Sequence, residues 1–344
     1  MPKAQPDRDY TYMKLALREA RKGCGLTSPN PPVGCVIVKG RSVLAKGPHR
    51  RAGEAHAEID AMAKATARQL AGATAYVTLE PCSTHGRTPP CTEALASAGI
   101  GRVVFGATDP NPDHAGRAKR WLRRRGVEVT GGVLREACES LIRPWAKYIT
   151  TGTPWVIAKA GTSLDGRLTR PAGEGQWLTS QMARDDAQKL RGEVDAILIG
   201  AGTLRADNPA LTLRNRAALR RGKRQPLRVV LAGAGEIPAA AQLFTDEHRE
   251  RTIIYRRKSL RAALSDLARK HGVVSAMIEG GGHLLGDAFA KGLVDEVCLY
   301  LAPILCGGDG APLVGAALPK SAELRETSIR RVGPDWKLRG LVKR

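Results

Sequence analysis

Short apolar runs rich in Val, Ile and Ala alternate with helical repeats almost from end to end of this chain of 344 residues. In the first half, DYTYMKLALREARKG sets Met13, Ala16, Leu17 and Ala20 on one helical face. VGCVIVKG and SVLAKG then read as two strands joined by a hairpin at KGR. HAEIDAMAKATARQ reads as one helix, followed by strand ATAYVTLE, helix CTEALASAG ended by Gly99, strand RVVFGA, helix AGRAKRWLRRRG ended by Gly126, and strand VEVTGG. A further helix through LREACESLIRPWAKYI is expected to be interrupted at Pro144. The second half restarts with strand WVIAKAG, helix SQMARDDAQKL and strands DAILIG, LRVVLA and RTIIYR. Helix SLRAALSDLARKHG, strand SAMIEG, helix HLLGDAFAKG and strand DEVCLYLAP complete it. Such alternation predicts an α/β fold, with mainly parallel sheets and helices packed on their faces.

The length favours two units that each bury a core, and Gly and Pro in TTGTPW mark the break near residue 150. The expected domains are 1–150 and 151–344. No apolar run is long enough to span a bilayer, and the first residues lack the apolar core of a secretory signal, so a cytoplasmic protein with no membrane partner is expected. Seven cysteines at 24, 35, 82, 91, 138, 298 and 306 form no disulfide framework, which leaves metal ligation or burial. The net charge of +22, with basic runs at 120–126 and 214–228, favours anionic ligands without choosing among them. Aromatics at 4% supply few rings among those charges to stack bases, which weighs against a nucleic-acid partner. Oligomeric state is open at this level.

Chemistry is concentrated in two segments. GEAHAEIDAM places His56 and Glu58 two residues apart at the start of a helix, and LEPCSTHGRTPPCTEAL adds Cys82 and Cys91 at a spacing of C-x8-C. One imidazole and two thiolates suit zinc and leave its fourth position for water, whose pKa the metal lowers. Glu58 is then the proton carrier, taking a proton from water and passing it to a departing amine. The pattern H-x-E followed by P-C is that of zinc deaminases of nucleobases, although their two cysteines stand closer together. A closed structural zinc site is the competing reading, and it needs a fourth ligand from His49 or His85.

NPPVG at 30–34, HAE, EPCSTHGRTPPC and DPNP at 109–112 occur in that order and together resemble the deaminase half of the bifunctional riboflavin-biosynthesis deaminase/reductase family. KAGTSLDGR at 159–167, QWLTS at 176–180, GTLRADNPALTLR at 202–214, EGGGHLLG at 279–286 and LVDEVCLYLAP at 293–303 resemble its reductase half. The resemblance implies a cytidine-deaminase-like three-layer domain followed by a dihydrofolate-reductase-like domain. It implies zinc-dependent removal of the 2-amino group of a phosphoribosylated diaminopyrimidinone, then NADPH-dependent reduction of the ribose to a ribityl chain. The partner implied is a phosphorylated pyrimidine ribosylamine. By the same resemblance Asn30, His49, Arg87 and Thr88 match deaminase substrate positions, with turn formation the alternative for Asn30. Gly161, Trp177, Thr203, Asp207, Gly281, Gly282, His283, Leu284, Leu285 and Gly286 match NADP positions. Lys159, Gly175, Arg191, Leu211, Arg214 and Glu279 match the reductase substrate side. Trp177 has a core role as its alternative, and Asp207 a capping role.

Three positions depart from the family pattern: Thr84 where it has His, Gly175 where it has a substrate-contacting Ser, and Ala232 where it has Asp. His85, one residue on, is a candidate to replace the missing imidazole. These departures keep open a paralogue in another pyrimidine-derived pathway with altered or lost reductase activity. From a different class, the charge keeps open a nucleic-acid-binding deaminase.

Overall fold

The computed structural model describes residues 5–85, 89–112, 114–308 and 310–343, so Arg87 and Thr88 lie outside the described residues. The chain forms two compact units, Met1–Thr151 and Gly152–Arg344.

In the first unit, α1 (Gln5–Arg21) leads into the hairpin of β1 (Gly34–Lys39) and β2 (Ser42–Pro48). Then come α2 (Ala57–Met62), α3 (Ala67–Leu70), β3 (Thr74–Leu79), α4 (Cys91–Ser97), β4 (Arg102–Ala107), α5 (Arg117–Arg123), β5 (Glu128–Gly131) and α6 (Arg135–Thr151). The sheet order is β2-β1-β3-β4-β5; β1 is antiparallel to both neighbours, whereas β3, β4 and β5 run parallel. Alternate residues of β1 enter opposite layers, as a strand's period of two requires. Cys35 and Ile37 pack with Ala57, Ala61, Leu95 and Leu122 of α2, α4 and α5. Val36 and Val38 pack with Met13 and Leu17 of α1 and with Cys138 and Ile142 of α6. The result is a three-layer sandwich.

Two expectations here are corrected. The helix read over residues 56–69 is two helices, because Thr66 opens a capping box with Gln69 and starts α3 afresh. The other correction concerns α6, which runs unbroken through Pro144. Its amphipathic face, with Cys138 and Ile142 buried and Leu141 and Trp145 packed beside them, holds the helix despite the lost backbone donor.

Gly34 marks the closest approach of α1 to β1. A Cβ there would stand 2.1 Å from the Ala16 carbonyl oxygen and 2.5 Å from the Ala20 amide nitrogen. Backbone on both sides cannot swing away, so Gly34→Ala is expected to destabilise the first unit by about 1–3 kcal/mol. Urea unfolding of the two proteins checks this, and an unchanged midpoint would show that α1 can lift off without cost.

The second unit contains β6 (Trp155–Thr162), α7 (Gln181–Arg191), β7 (Ala196–Gly200), α8 (Ala201–Asp207), α9 (Arg216–Arg220), β8 (Leu227–Ala232), α10 (Gln242–Thr245) and β9 (Thr252–Arg256). It continues with α11 (Leu260–His271), β10 (Ser275–Glu279), α12 (Gly282–Ala290), β11 (Glu296–Leu301), β12 (Leu324–Val332) and β13 (Asp335–Val342). Its sheet order is β12-β13-β11-β6-β10-β7-β8-β9. The six strands from β11 to β9 are parallel, and β13 and β12 add an antiparallel edge. Val156, Ala158 and Ala160 of β6 face a core shared with α11 and α12, while Ile157 faces one shared with α7. The terminal hairpin was not expected, because β12 is exposed along nearly its whole length and shows no apolar alternation. Helix α8 was not expected either; it starts directly after β7, with Gly200 as its N-cap.

Candidate active sites

In the first unit the sheet delivers three donors to one point. His56 is the N-cap of α2, Cys82 follows the end of β3 by three residues, and Cys91 is the first residue of α4. The ligand atoms of His56, Cys82 and Cys91 all lie within 4.8 Å of one another. The His56 Nδ1 stands 3.3 Å from the Cys91 Sγ and 3.6 Å from the Cys82 Sγ. A tetrahedral zinc with bonds of about 2.0–2.3 Å sets such atoms about 3.5 Å apart, so the donors fit this ion. Two helix N-termini converge here, and the Cys91 amide donates to the Cys82 sulfur at 3.2 Å. The hydrogen bond from Cys91 and the nearby His56 hold the Cys82 thiol down at about 4 against the upward pull of burial.

Neither histidine proposed for a closed site joins the cluster. His49 Nδ1 lies 2.9 Å from the Ala55 carbonyl oxygen and its Nε2 lies 3.1 Å from the Asn30 amide nitrogen. Burial lowers the His49 pKa, so the neutral ring donates from Nδ1 and accepts at Nε2. That assignment sets one N–H of the Asn30 amide on His49 and so fixes which end of the amide is the oxygen. His85, the candidate for the imidazole absent at Thr84, is exposed and sits 3.6 Å from Glu93.

A cleft of about 390 Å³ opens on this point, lined by Asn30, His49, His56, Glu58 and Cys82, and further by Thr84, Asp109, Asn111, His114, Trp145 and Tyr148. Glu58 lies in the first turn of α2 and is 3% exposed. Burial, with the Cys82 thiolate beside it, pushes its carboxyl up to about 7; a metal cation would act in the opposite direction. Sequence reasoning missed Glu80, whose buried carboxylate accepts the backbone N–H groups of Asp109, Gly116 and Lys119. It ties the loop after β4 to the segment that carries Cys82. The EPC motif was legible, yet only the fold reveals what the Glu faces.

In the second unit the carboxyl ends of adjacent parallel strands gather most of the expected residues, as open α/β sheets do. Glu279 of β10 pairs in register with Lys159 of β6. The Glu279 carboxylate accepts from Arg191 Nε and Nη2 at 2.7 Å each and lies 3.9 Å from Lys159 Nζ. Burial pushes this carboxyl up, but Arg191 and Lys159 outweigh it and hold it at about 2. Arg191 Nη1 donates to the Thr212 carbonyl at 2.8 Å. Its guanidinium, matched by the resemblance to the substrate side, is thus turned onto Glu279. Arg214 is exposed and shares a second cleft with Trp177, Arg184, Gln188 and Arg216.

Gly281 and Thr203 face each other: a Cβ at Gly281 would stand 2.9 Å from Thr203 Oγ1. Gly280 and Gly281 hold φ of +92° and +79°, which only glycine adopts freely, so the strand turns sharply into α12. Packing also requires glycine at 282 and 286, because a Cβ on either would meet Pro312 or Ala316. Leu285 is buried in the core and its N–H bonds to the Gly281 carbonyl, so it offers a ligand nothing. Leu284 packs beside that core, and His283 is exposed. Leu211 is likewise a core residue, at a positive φ of 49°. Gly161 borders Thr179. Trp177 is 58% exposed beside Arg184, which overturns its reading as core. Asp207 ends α8, and the left-handed C-cap is Asn208. Gly175 lies exposed at φ +94°, with nothing close to it and no side chain to offer. Ala232 is buried at the end of β8.

Comparison with known proteins covers both units. Residues 6–107 match the family model of the cytidine and deoxycytidylate deaminase zinc-binding region, and residues 154–338 match that of the RibD C-terminal domain. The chain is 39% identical to the riboflavin biosynthesis protein RibD of Escherichia coli over 95% of this chain and 98% of that one. It is also 39% identical to RibD of Bacillus amyloliquefaciens over 96% of each. Among solved structures, RibD of Acinetobacter baumannii superposes with a TM-score of 0.90 at 34% identity, covering 99% of this chain and all of that one. The deaminase/reductase of Thermotoga maritima gives 0.88 at 30% identity, with 99% and 100% covered. The first unit is cytidine-deaminase-like and the second has the dihydrofolate-reductase-like fold of the RibD reductase domain. With zinc-type donors gathered at one point of the first unit, a second α/β unit following in the chain and similarity running the length of both, the chain belongs to the RibD family of bifunctional riboflavin-biosynthesis enzymes.

Proposed function

We propose that the first unit deaminates 2,5-diamino-6-(5-phosphoribosylamino)pyrimidin-4-one and that the second reduces the ribose of the resulting 5-amino-6-(5-phosphoribosylamino)uracil. The family's two activities and its cofactors, zinc and NADPH, carry this reading at the level of the whole chain. The observation that carries it at the level of the site is the cluster of His56, Cys82 and Cys91 beside a buried Glu58.

His56, Cys82 and Cys91 are the residues that would hold zinc, which supplies Lewis acidity toward water when bound. Glu58 takes a proton from the attacking water and returns it to the departing amino group. The Asn30 oxygen, oriented by His49, accepts an N–H of the base. Arg87 and Thr88 remain candidates for its sugar phosphate on the resemblance alone. In the second unit Gly161, Trp177, Thr203, Asp207, Gly281 and the N-terminal turn of α12 are the candidate positions that would hold NADPH, which would supply hydride when bound. Lys159 and Glu279 face the substrate as a charge pair, Arg191 fixes Glu279, and Arg214 supplies positive charge for the phosphate.

The partner is a small pyrimidine-derived molecule. Among the described residues no helix is long and apolar enough to cross a membrane. Similarity along both units gives no support to a paralogue with a lost reductase, and no observation favours a nucleic-acid substrate.

Zinc removal separates the two halves. Chelation is expected to stop ammonia release while the second unit, given the deaminated intermediate, still oxidises NADPH at its original rate. Coupled assays of both steps, with zinc added back, check this. Ammonia release that survives complete loss of metal refutes the deaminase assignment, and an absence of NADPH oxidation in the intact protein refutes the reductase one.

A further inference from the structure

We propose that His114 is a substrate-positioning residue of the deaminase cleft, set in place by Thr84 to hold the sugar-phosphate end of the substrate. The inference rests on the deaminase reading above and adds a residue that no sequence motif marks.

Thr84 and His114 both line the cleft that holds the metal donors and Glu58. The Thr84 hydroxyl oxygen lies 3.3 Å from His114 Nδ1, and among the described residues Nε2 of that ring has no hydrogen-bond partner, which makes it the atom offered to a ligand. The two other cleft histidines are already engaged. His56 belongs to the metal cluster, and both nitrogens of His49 have protein partners.

The backbone that carries His114 is tightly built. The Asp109 carboxylate accepts the Asn111 N–H at 2.9 Å, and the Asn111 carbonyl accepts the N–H groups of His114 and Ala115. Glu80 then binds Asp109 and Gly116 on either side of this turn. Because Glu80 lies two residues before Cys82, the position of His114 is coupled to that of the metal. A loop fastened at this many points presents its side chain at a set distance from the reacting carbon, as a positioning role requires.

Position 84 is where the resemblance expects an imidazole. In this chain a threonine stands there, and the imidazole arrives from the loop after β4 to meet it. The ring is thus supplied to the cleft by a different segment, with the Thr84 hydroxyl fixing its orientation. With Asn30 assigned to the base, His114 joins Arg87 and Thr88 on the side of the sugar phosphate.

The test is steady-state kinetics of ammonia release by the zinc-loaded full chain, with zinc content and thermal midpoint measured alongside. His114→Ala is expected to raise KM for the phosphoribosylated substrate about tenfold or more, the size of one hydrogen bond to a charged group. Its kcat, zinc content and midpoint should stay near those of the wild type. With the pyrimidine base alone as substrate, the variant and the wild type should behave alike. The double variant Thr84→His/His114→Ala, which returns the ring to the other wall, should recover most of the lost KM. An unchanged KM in His114→Ala, an equal loss on the base alone, or a double variant as poor as the single one overturns the proposal. Wild-type protein that releases no ammonia indicts the deaminase reading itself, and so the two failures are distinct.

Discussion

Replacing Glu58 by Gln is expected to lower deamination by about 10²–10⁴-fold, the range over which a positioned acid or base contributes. The amide preserves the shape of the side chain at a position that is 3% exposed, so packing around α2 should be little altered. Glu58 is not among the three donors whose ligand atoms cluster, so zinc content should be unchanged. What is lost is the ability to carry a proton between water and the leaving amine. Ammonia release measured beside metal analysis checks both halves of this expectation. Near-normal release in the variant would show that another group moves the proton, and loss of zinc would show that Glu58 serves the metal.

The second large effect concerns Glu279, the buried carboxylate held by Arg191 and Lys159. Its folded-state pKa of about 2 lies below the ordinary carboxylate value of 4.5. A depressed carboxyl contributes stability that is fully present above its unfolded pKa and is lost as pH falls through the folded one. The window is therefore from about pH 4.5 down to about 2, and the contribution at neutral pH is about 3 kcal/mol. Glu279→Gln removes it at every pH and leaves Arg191 in a largely buried site without its charge partner, a loss of about 3–5 kcal/mol. The pairing of β10 with β6 runs through this residue, so amide exchange along both strands should quicken and NADPH oxidation should fall. Unaltered exchange, with an acid-unfolding curve that overlays the wild type, would remove Glu279 from the structural role argued for it.

Much of the fold follows from local rules. A strand such as β1 reads as an unbroken apolar run, Cys35, Val36, Ile37 and Val38, because both of its faces are buried. The hairpin of β12 and β13 was illegible because β12 lies at an edge with its side chains in water, where burial imposes no pattern. Pro144 misled for a related reason. A local rule about a missing N–H was outweighed by the apolar face that α6 buries.

The metal donors were legible because zinc chemistry restricts residue type as well as order. His56, Glu58, Cys82 and Cys91 are the few side chains able to do that work, and they lie in two short segments. The reductase positions were less legible. Leu211 and Leu285 sit within matching motifs, yet the structure buries both side chains, and Gly282 and Gly286 are needed for contact with Pro312 and Ala316. A one-dimensional match does not separate a residue that touches a ligand from one that packs its neighbour.

By itself, then, the sequence determined the α/β class, the two-part organisation it implies, and the donor set for a zinc deaminase, because periodicity and ligand chemistry are local properties of the chain. The tertiary structure alone decided that Glu80 fastens the loop after β4, that Arg191 turns onto Glu279, and that His114 rather than His85 meets Thr84. Each of these is a contact between residues 30 to 88 positions apart, counted from Gly116 for Glu80, or a choice between neighbours one residue apart. Such contacts are fixed by how strands pair and helices pack, which no local pattern encodes.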